Sequence, residues 1–102
     1  MVKIIWTNRS LVDLQEIGDY ISRDSVHYAR LTLERIIDVT ELLESMPFIG
    51  RKVPEINEPT IRELIIGSYR VIYKTIKEPQ IYILTVHHLA RLLKKSALKR
   101  LK

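Results

Sequence analysis

Thr60–His88, TIRELIIGSYRVIYKTIKEPQIYILTVHH, decides the fold. It holds runs rich in Ile, Val and Tyr that read as three consecutive antiparallel strands. Gly67-Ser68 separates the first two runs, and a Gly-first pair suits a two-residue hairpin of the II′ type, whose first central residue takes φ > 0. That turn pairs 66 with 69, 64 with 71 and 62 with 73, so Leu64, Ile66, Tyr69, Val71 and Tyr73 share one face, the expected core face. Glu63, Ile65, Arg70, Ile72 and Lys74 share the other, which mixed chemistry predicts to be open to water. The second hairpin turns through Lys77-Glu78-Pro79-Gln80, where Pro79 owes no ladder donor. Matching apolar faces then sets Tyr82, Leu84 and Val86 with the core, and Ile81, Ile83, Thr85 and His87 on the Arg70 side.

A guanidinium and an imidazole on one open sheet face are the parts needed to hold a phosphate and move a proton beside it. A bulge or a one-residue change in loop length exchanges His87 for His88 on that face and brings Arg62 over to it. Taken alone, the face supports a phosphate-contacting site, while a lone strand Arg and a structural His are the plainer alternatives.

Upstream, Val2–Trp6 alternates as a short strand, which periodicity does not place at the edge or the middle of the sheet. Thr7 is a helix cap before Leu11, Leu14, Ile17 and Ile21; the helix ends near Arg23, and Asp24-Ser25 makes a break with a cap built in. Ala29, Leu33, Ile36, Ile37, Thr40 and Leu43 continue at helical spacing to Met46, where Pro47 stops them. Two amphipathic helices and a strand bury their apolar stripes only against the later sheet. The fold class is therefore α+β, a helical hairpin packed on an antiparallel β-sheet, in the order β-α-α-β-β-β plus a C-terminal helix. FIGRKVPEINEP, residues 48–59, is a connection whose Arg51 and Lys52 make either an ordinary solvated loop or a basic lip beside the open face.

With 102 residues, the chain makes one domain, 1–102. It has no cysteine, so disulfides and thiolate metal sites are excluded. No apolar run reaches the length of a membrane span and the first residues lack a signal-peptide core, which points to the cytoplasm and away from a membrane. The net charge of +5 is unevenly placed. Arg91, Lys94, Lys95, Lys99, Arg100 and Lys102 are six bases with no acid, whereas residues 1–90 carry eleven bases against twelve acids, a balance of −1. Leu89, Leu92, Leu93, Ala97 and Leu101 recur at helical spacing among them, so 89–102 reads as a basic amphipathic helix. It is either a solvated end or a contact for an acidic protein or a phosphate polymer. His27, His87 and His88 do not make a metal site, no Gly-rich phosphate loop is present, and no cofactor is implied. Asp13, Glu16, Asp19, Glu34, Asp38, Glu41 and Glu44 sit where a solvated helix face is the ordinary explanation.

IIWT at the start, DLQEIGDYI in the first helix, MPFIGRKVPE at its partner's end, IRELIIGSYRVIYK and ILTVHHLAR occur in this order over nearly the full length. In that order they resemble the RelE/ParE family, the toxin halves of type II toxin–antitoxin pairs, also known as plasmid stabilisation proteins. The resemblance implies a growth-inhibiting toxin bound and neutralised by a cognate antitoxin, and it implies two candidate activities. RelE-like members cut messenger RNA on the ribosome without a metal. Carried onto this chain, Arg70 in SYRVIY matches the phosphate-stabilising arginine and His87 or His88 the acid/base position, with Arg51, Lys52, Arg62 and Lys74 along the RNA path. One RelE branch has a lysine pair where this chain has Ile61-Arg62-Glu63, and a tyrosine where it has Leu92 and Leu93. ParE-like members poison DNA gyrase and cut nothing, and the long helical hairpin and GRKVPE connection look like that branch. In either case Leu89, Leu92, Leu93 and Leu101 are the expected antitoxin contacts. Messenger cleavage is placed slightly ahead, because Arg70 and a His share the open face.

Overall fold

The computed structural model describes residues 2–75 and 80–90. β1 (Lys3–Trp6) leads into α1 (Asn8–Ser22) and α2 (Val26–Thr40), and a 3-10 turn at Glu41–Glu44 follows. β2 (Arg51–Lys52), β3 (Ile61–Ile66), β4 (Tyr69–Thr75) and β5 (Gln80–His88) complete a five-stranded sheet in the order β1-β5-β4-β3-β2. β1 lies at the edge and pairs in parallel with β5, so the sheet is mixed rather than wholly antiparallel. The α+β class, the helical hairpin and its place on the sheet follow the expected plan, and the two-residue β2 is additional. Of the expected C-terminal helix, Leu89 and Ala90 form a turn, and residues 91–102 lie outside the described residues.

The helix boundaries follow from capping. Thr7 accepts from the Ser10 amide through its hydroxyl oxygen, and the same hydroxyl donates to the Ile83 carbonyl at 2.7 Å, so one side chain starts α1 and ties it to β5. Ser25 caps α2 by accepting from the Tyr28 amide. At Thr40, fully buried, the hydroxyl bonds back to the Ile36 carbonyl. Such back-bonding loosens a regular α-helix, and here the chain tightens to 3-10 geometry and ends before Pro47.

Gly67 has φ 59° while Ser68 is not left-handed, as a II′ turn requires and a I′ turn does not. β3 and β4 pair in the expected register, 66 with 69, 64 with 71 and 62 with 73. The β4–β5 register differs from the apolar-matching expectation. Tyr73 faces Ile83 and Val71 faces Val86, with an irregularity after Ile72, so Leu84 and Thr85 together occupy the space of one residue. Ile81, Ile83 and Val86 therefore enter the core beneath the helices with Leu14, Ile36, Leu43 and Tyr73. Leu84 and Tyr82, expected there, turn to the opposite side. Of the second turn, residues 77–79 lie outside the described residues, and Gln80 already belongs to β5.

The sheet face expected to meet water is also covered. Val53, Ile61, Ile72 and Leu84 form a second core, with Ile56 and Tyr82 packed against it. The segment after β2 thus folds over this face as a lid. It is closed by Asn57 N–H to Val53 O at 2.7 Å, with Asn57 itself left-handed at φ 53°. At the root of the lid, Gly50 packs where any Cβ would come within 2.6 Å of the Tyr73 hydroxyl and the Glu63 carbonyl. Tyr73 Oη accepts from Gly50 N–H and donates to the Pro47 carbonyl, each at 3.0 Å.

Candidate functional site

Arg70 lies under that lid. Its position on β4 aims it at the face shared with Glu63, its diagonal neighbour on β3, and only 7% of the residue is exposed. Nε donates to Glu63 Oε1 at 2.6 Å, and the two terminal nitrogens fork onto the Glu55 carboxylate of the lid at 2.7 and 3.0 Å. Arg51 on β2 closes the other end, its Nε 2.7 Å from Glu63 Oε2. Arg51, Glu63, Arg70 and Glu55 thus form an alternating, neutral chain of charges. A buried carboxylate such as Glu63, with its side chain fully covered, is tolerable only when paired in this way. The Arg70 fork holds the Glu55 carboxyl below the usual carboxylate range, and Glu55 in turn raises the Arg70 guanidinium.

His87 lies on the Arg70 side of the sheet, the side expected for it, and it is the direct cross-strand partner of Arg70, where matching the apolar faces would have set Thr85. The phase of β5 near its start is opposite to the expected one, and the bulge at Leu84–Thr85 reverses it again, so the two differences cancel at His87. The two side chains nevertheless bond in opposite directions. The guanidinium reaches toward β3 and the lid, whereas His87 Nε2 lies 3.0 Å from Thr85 Oγ1 on its own strand. The Thr85 hydroxyl donates to Asp13 Oδ2 of α1 at 2.5 Å, so its remaining lone pairs accept from His87 Nε2–H. Asp13 also takes the Val86 amide at 3.0 Å. It thereby caps the edge of β5 where β1 has ended and no strand continues the ladder.

His88 points to the helical side, its ring edge-on to Tyr69 at 5.4 Å between centroids. Together they border a groove of about 380 Å³ between the end of the sheet and α1. Tyr69, Val86 and His88 line one wall, and Asp13, Glu16 and Tyr20 the other. Burial raises the Tyr69 hydroxyl above the ordinary tyrosine value, so it stays protonated.

The remaining expected positions are dispersed. Arg62 lies on the helical side of β3, where Nη1 donates to the Gly50 carbonyl at 2.9 Å and the guanidinium sits 5.4 Å above the Phe48 ring. Lys52 is exposed at the sheet edge, Arg51 is exposed but held by Glu63, and Lys74 is half-buried on β4. Leu89 is exposed, its amide bonded to the Ser68 carbonyl, while Leu92, Leu93 and Leu101 lie outside the described residues. Among the described residues no group of three or more His, Cys, Asp or Glu side chains can hold a metal ion. No helix among them is long and apolar enough to cross a membrane.

Sequence reasoning passed over Glu55, Glu63, Asp13 and Thr85. Glu63 carried a usable signal, because the correct hairpin register already put it on the face of Arg70. Asp13, with 12% of its side chain exposed rather than solvated, carried none, since its role depends on β5 outrunning β1.

Comparison with known proteins agrees with this architecture. The family described as the ParE toxin of the type II toxin–antitoxin system parDE matches residues 4–93. Toxin RelE2 of Caulobacter vibrioides is 32% identical over 92 residues, covering 90% of this chain and all of that protein. A structure titled as the chromosomal ParDE TA system from P. aeruginosa superposes with a TM-score of 0.72 at 22% identity, over 87% of this chain and 97% of that one, a likeness of fold. A family match over most of the chain, a relative of matching length and the same helical hairpin on the same sheet lead to one conclusion: the chain belongs to the RelE/ParE family of toxins from type II toxin–antitoxin systems.

Proposed function

We propose that this toxin inhibits growth by gripping a protein target, with DNA gyrase the candidate implied by its ParE kinship, and that it does not itself cut messenger RNA. The observation that supports this most is the state of Arg70. A guanidinium that stabilises a transferring phosphate must present open donors to it. Here its donors are committed to Glu55 and Glu63 beneath the lid. The basic residues of the imagined RNA path are likewise dispersed, Arg51 onto Glu63 and Arg62 onto Gly50 and Phe48. In this account Arg70 is a structural cation, and the surfaces available to partners are those of the helical hairpin and the end of β5. The antitoxin is proposed to cover Leu89 and the leucines that follow it, in the cytoplasm where both are made.

Two assays separate the activities. Purified toxin incubated with gyrase and supercoiled DNA is expected to accumulate gyrase–DNA cleavage complexes, and cells expressing it should induce the DNA-damage response with intact messenger. Codon-specific messenger cleavage in a translation extract, abolished by a folded His87→Ala variant, would overturn the proposal.

A further inference from the structure

We propose that the groove between α1 and the end of β5 is the docking site of the chain's own basic end, residues 91–102, bound in cis. Three observations converge on it. The first is position: His88 and Tyr69 form the sheet wall of the groove, and the described chain leaves that wall two residues later, at Ala90. The segment RLLKKSALKRLK is tethered at the rim, so the groove meets it at the millimolar-scale effective concentration of a short linker.

The second is charge. Between Arg9 and Arg23, α1 carries Asp13, Glu16 and Asp19 and no base. Arg9 stands 3.8 Å from Asp13 at one end and Arg23 lies over the Tyr20 ring at the other, which leaves Glu16 as the acid in the middle of the wall. Residues 91–102 hold six bases and no acid, whereas residues 1–90 sum to −1. The chain's whole positive surplus therefore starts beside an acidic wall. At contact distance such opposite charges attract, and because Glu16 is exposed the attraction weakens as salt is raised.

The third is surface type. Ile17, Tyr69 and Val86 give the groove an apolar floor, and Tyr20, 68% exposed, gives it an aromatic rim. Leucines and long-stemmed lysines and arginines are the side chains that cover such a surface while keeping their charges at its edge. Leu92, Leu93, Ala97 and Leu101 interleaved with bases supply them. The proposal does not rest on the gyrase account, since docking in cis needs no target, and it concerns the toxin without its antitoxin, which would compete for the same leucines.

The test uses the full chain. Trypsin cuts after Arg91, Lys94, Lys95, Lys99 and Arg100, and the loss of these ends is followed by mass spectrometry in wild type and in the double variant Glu16→Lys/Tyr20→Ala. Both positions are exposed, so the core is untouched. Cleavage of the end is expected to be at least about tenfold faster in the double variant, the equivalent of about 1.4 kcal/mol of docking lost. Should the variant fail to fold, the wild type alone decides. Raising salt from about 0.1 to about 1 M shortens the Debye length from about 10 to about 3 Å and should speed the same cuts. Equal rates in wild type and a folded double variant overturn the proposal, as does a rate indifferent to salt. Protection that grows with protein concentration also overturns it, assigning the groove to a second copy instead.

Discussion

Arg70 and Glu55 are joined by two hydrogen bonds of 2.7 and 3.0 Å, across the seam between β4 and the lid. The guanidinium is therefore both the floor of the lid and the counter-ion of the fully covered Glu63. Removing it leaves a carboxylate buried without its nearest cation. Arg70→Ala is expected to cost about 3–5 kcal/mol in urea unfolding, and Glu55→Ala distinctly less, because the Glu55 side chain is 28% exposed and Glu63 keeps both arginines. Equal costs would show that the lid, rather than the buried charge, governs stability here.

Acid should loosen the same seam. Glu55 is depressed in the folded chain, chiefly by its hydrogen bonds with Arg70. The unfolded chain therefore takes up this proton first, at an ordinary value of about 4.3. The stability supplied by this group is complete above that value and is lost as pH falls through the lower folded one. Urea midpoints of wild type should drop over that window, and Glu55→Gln, already without the charge, should drop less. Parallel curves for the two proteins would count against the assignment.

Tyr73→Phe tests the anchor of the lid. The substitution keeps the ring in the core but leaves the buried Gly50 amide without its acceptor and the Pro47 carbonyl without its donor. A loss of about 1–3 kcal/mol is expected in denaturant titration. Gly50→Ala should be worse, since its methyl would meet the tyrosine oxygen and the Glu63 backbone at 2.6 Å.

On the opposite edge, Asp13→Ala removes the acceptor of the Val86 amide and of the Thr85 hydroxyl. Amide exchange at Val86 should accelerate, while exchange at Val71 in the middle of β4 is governed by global unfolding and changes only with overall stability. Thr85→Val keeps the Val86 bond but separates Asp13 from His87, so the His87 ring resonances should move in both variants.

Much of this fold could be read in advance because its signals are local. The caps at Thr7 and Ser25, the Gly67 turn and the β3–β4 register each depend on a few neighbouring residues, and each is found where expected. The β4–β5 register was not legible, because alternation in QIYILTVHH fits either phase and a bulge gives no compositional sign. The covered face was missed for another reason. Val53 and Ile56 are separated from Ile72 and Leu84 in sequence, and nothing local announces that a proline-flanked connection will fold back over a sheet. Calling that face open made Arg70 look available, although Glu63 beside it already hinted at a neutral pair.

The doubled residue at Leu84–Thr85 divides β5 into halves of opposite handedness toward the helices. Its first half serves the interior through Ile81 and Ile83, while its second half presents one imidazole to each side of the molecule. Shortening the strand there by a single codon would remove the bulge yet keep Val86 opposite Val71 and His87 opposite Arg70, so both imidazoles would stay on their present sides. The doubled position is thus the place in β5 where one residue can be lost without turning the rim of the protein over, whereas the same loss on either side of it would have to be absorbed by the bulge itself.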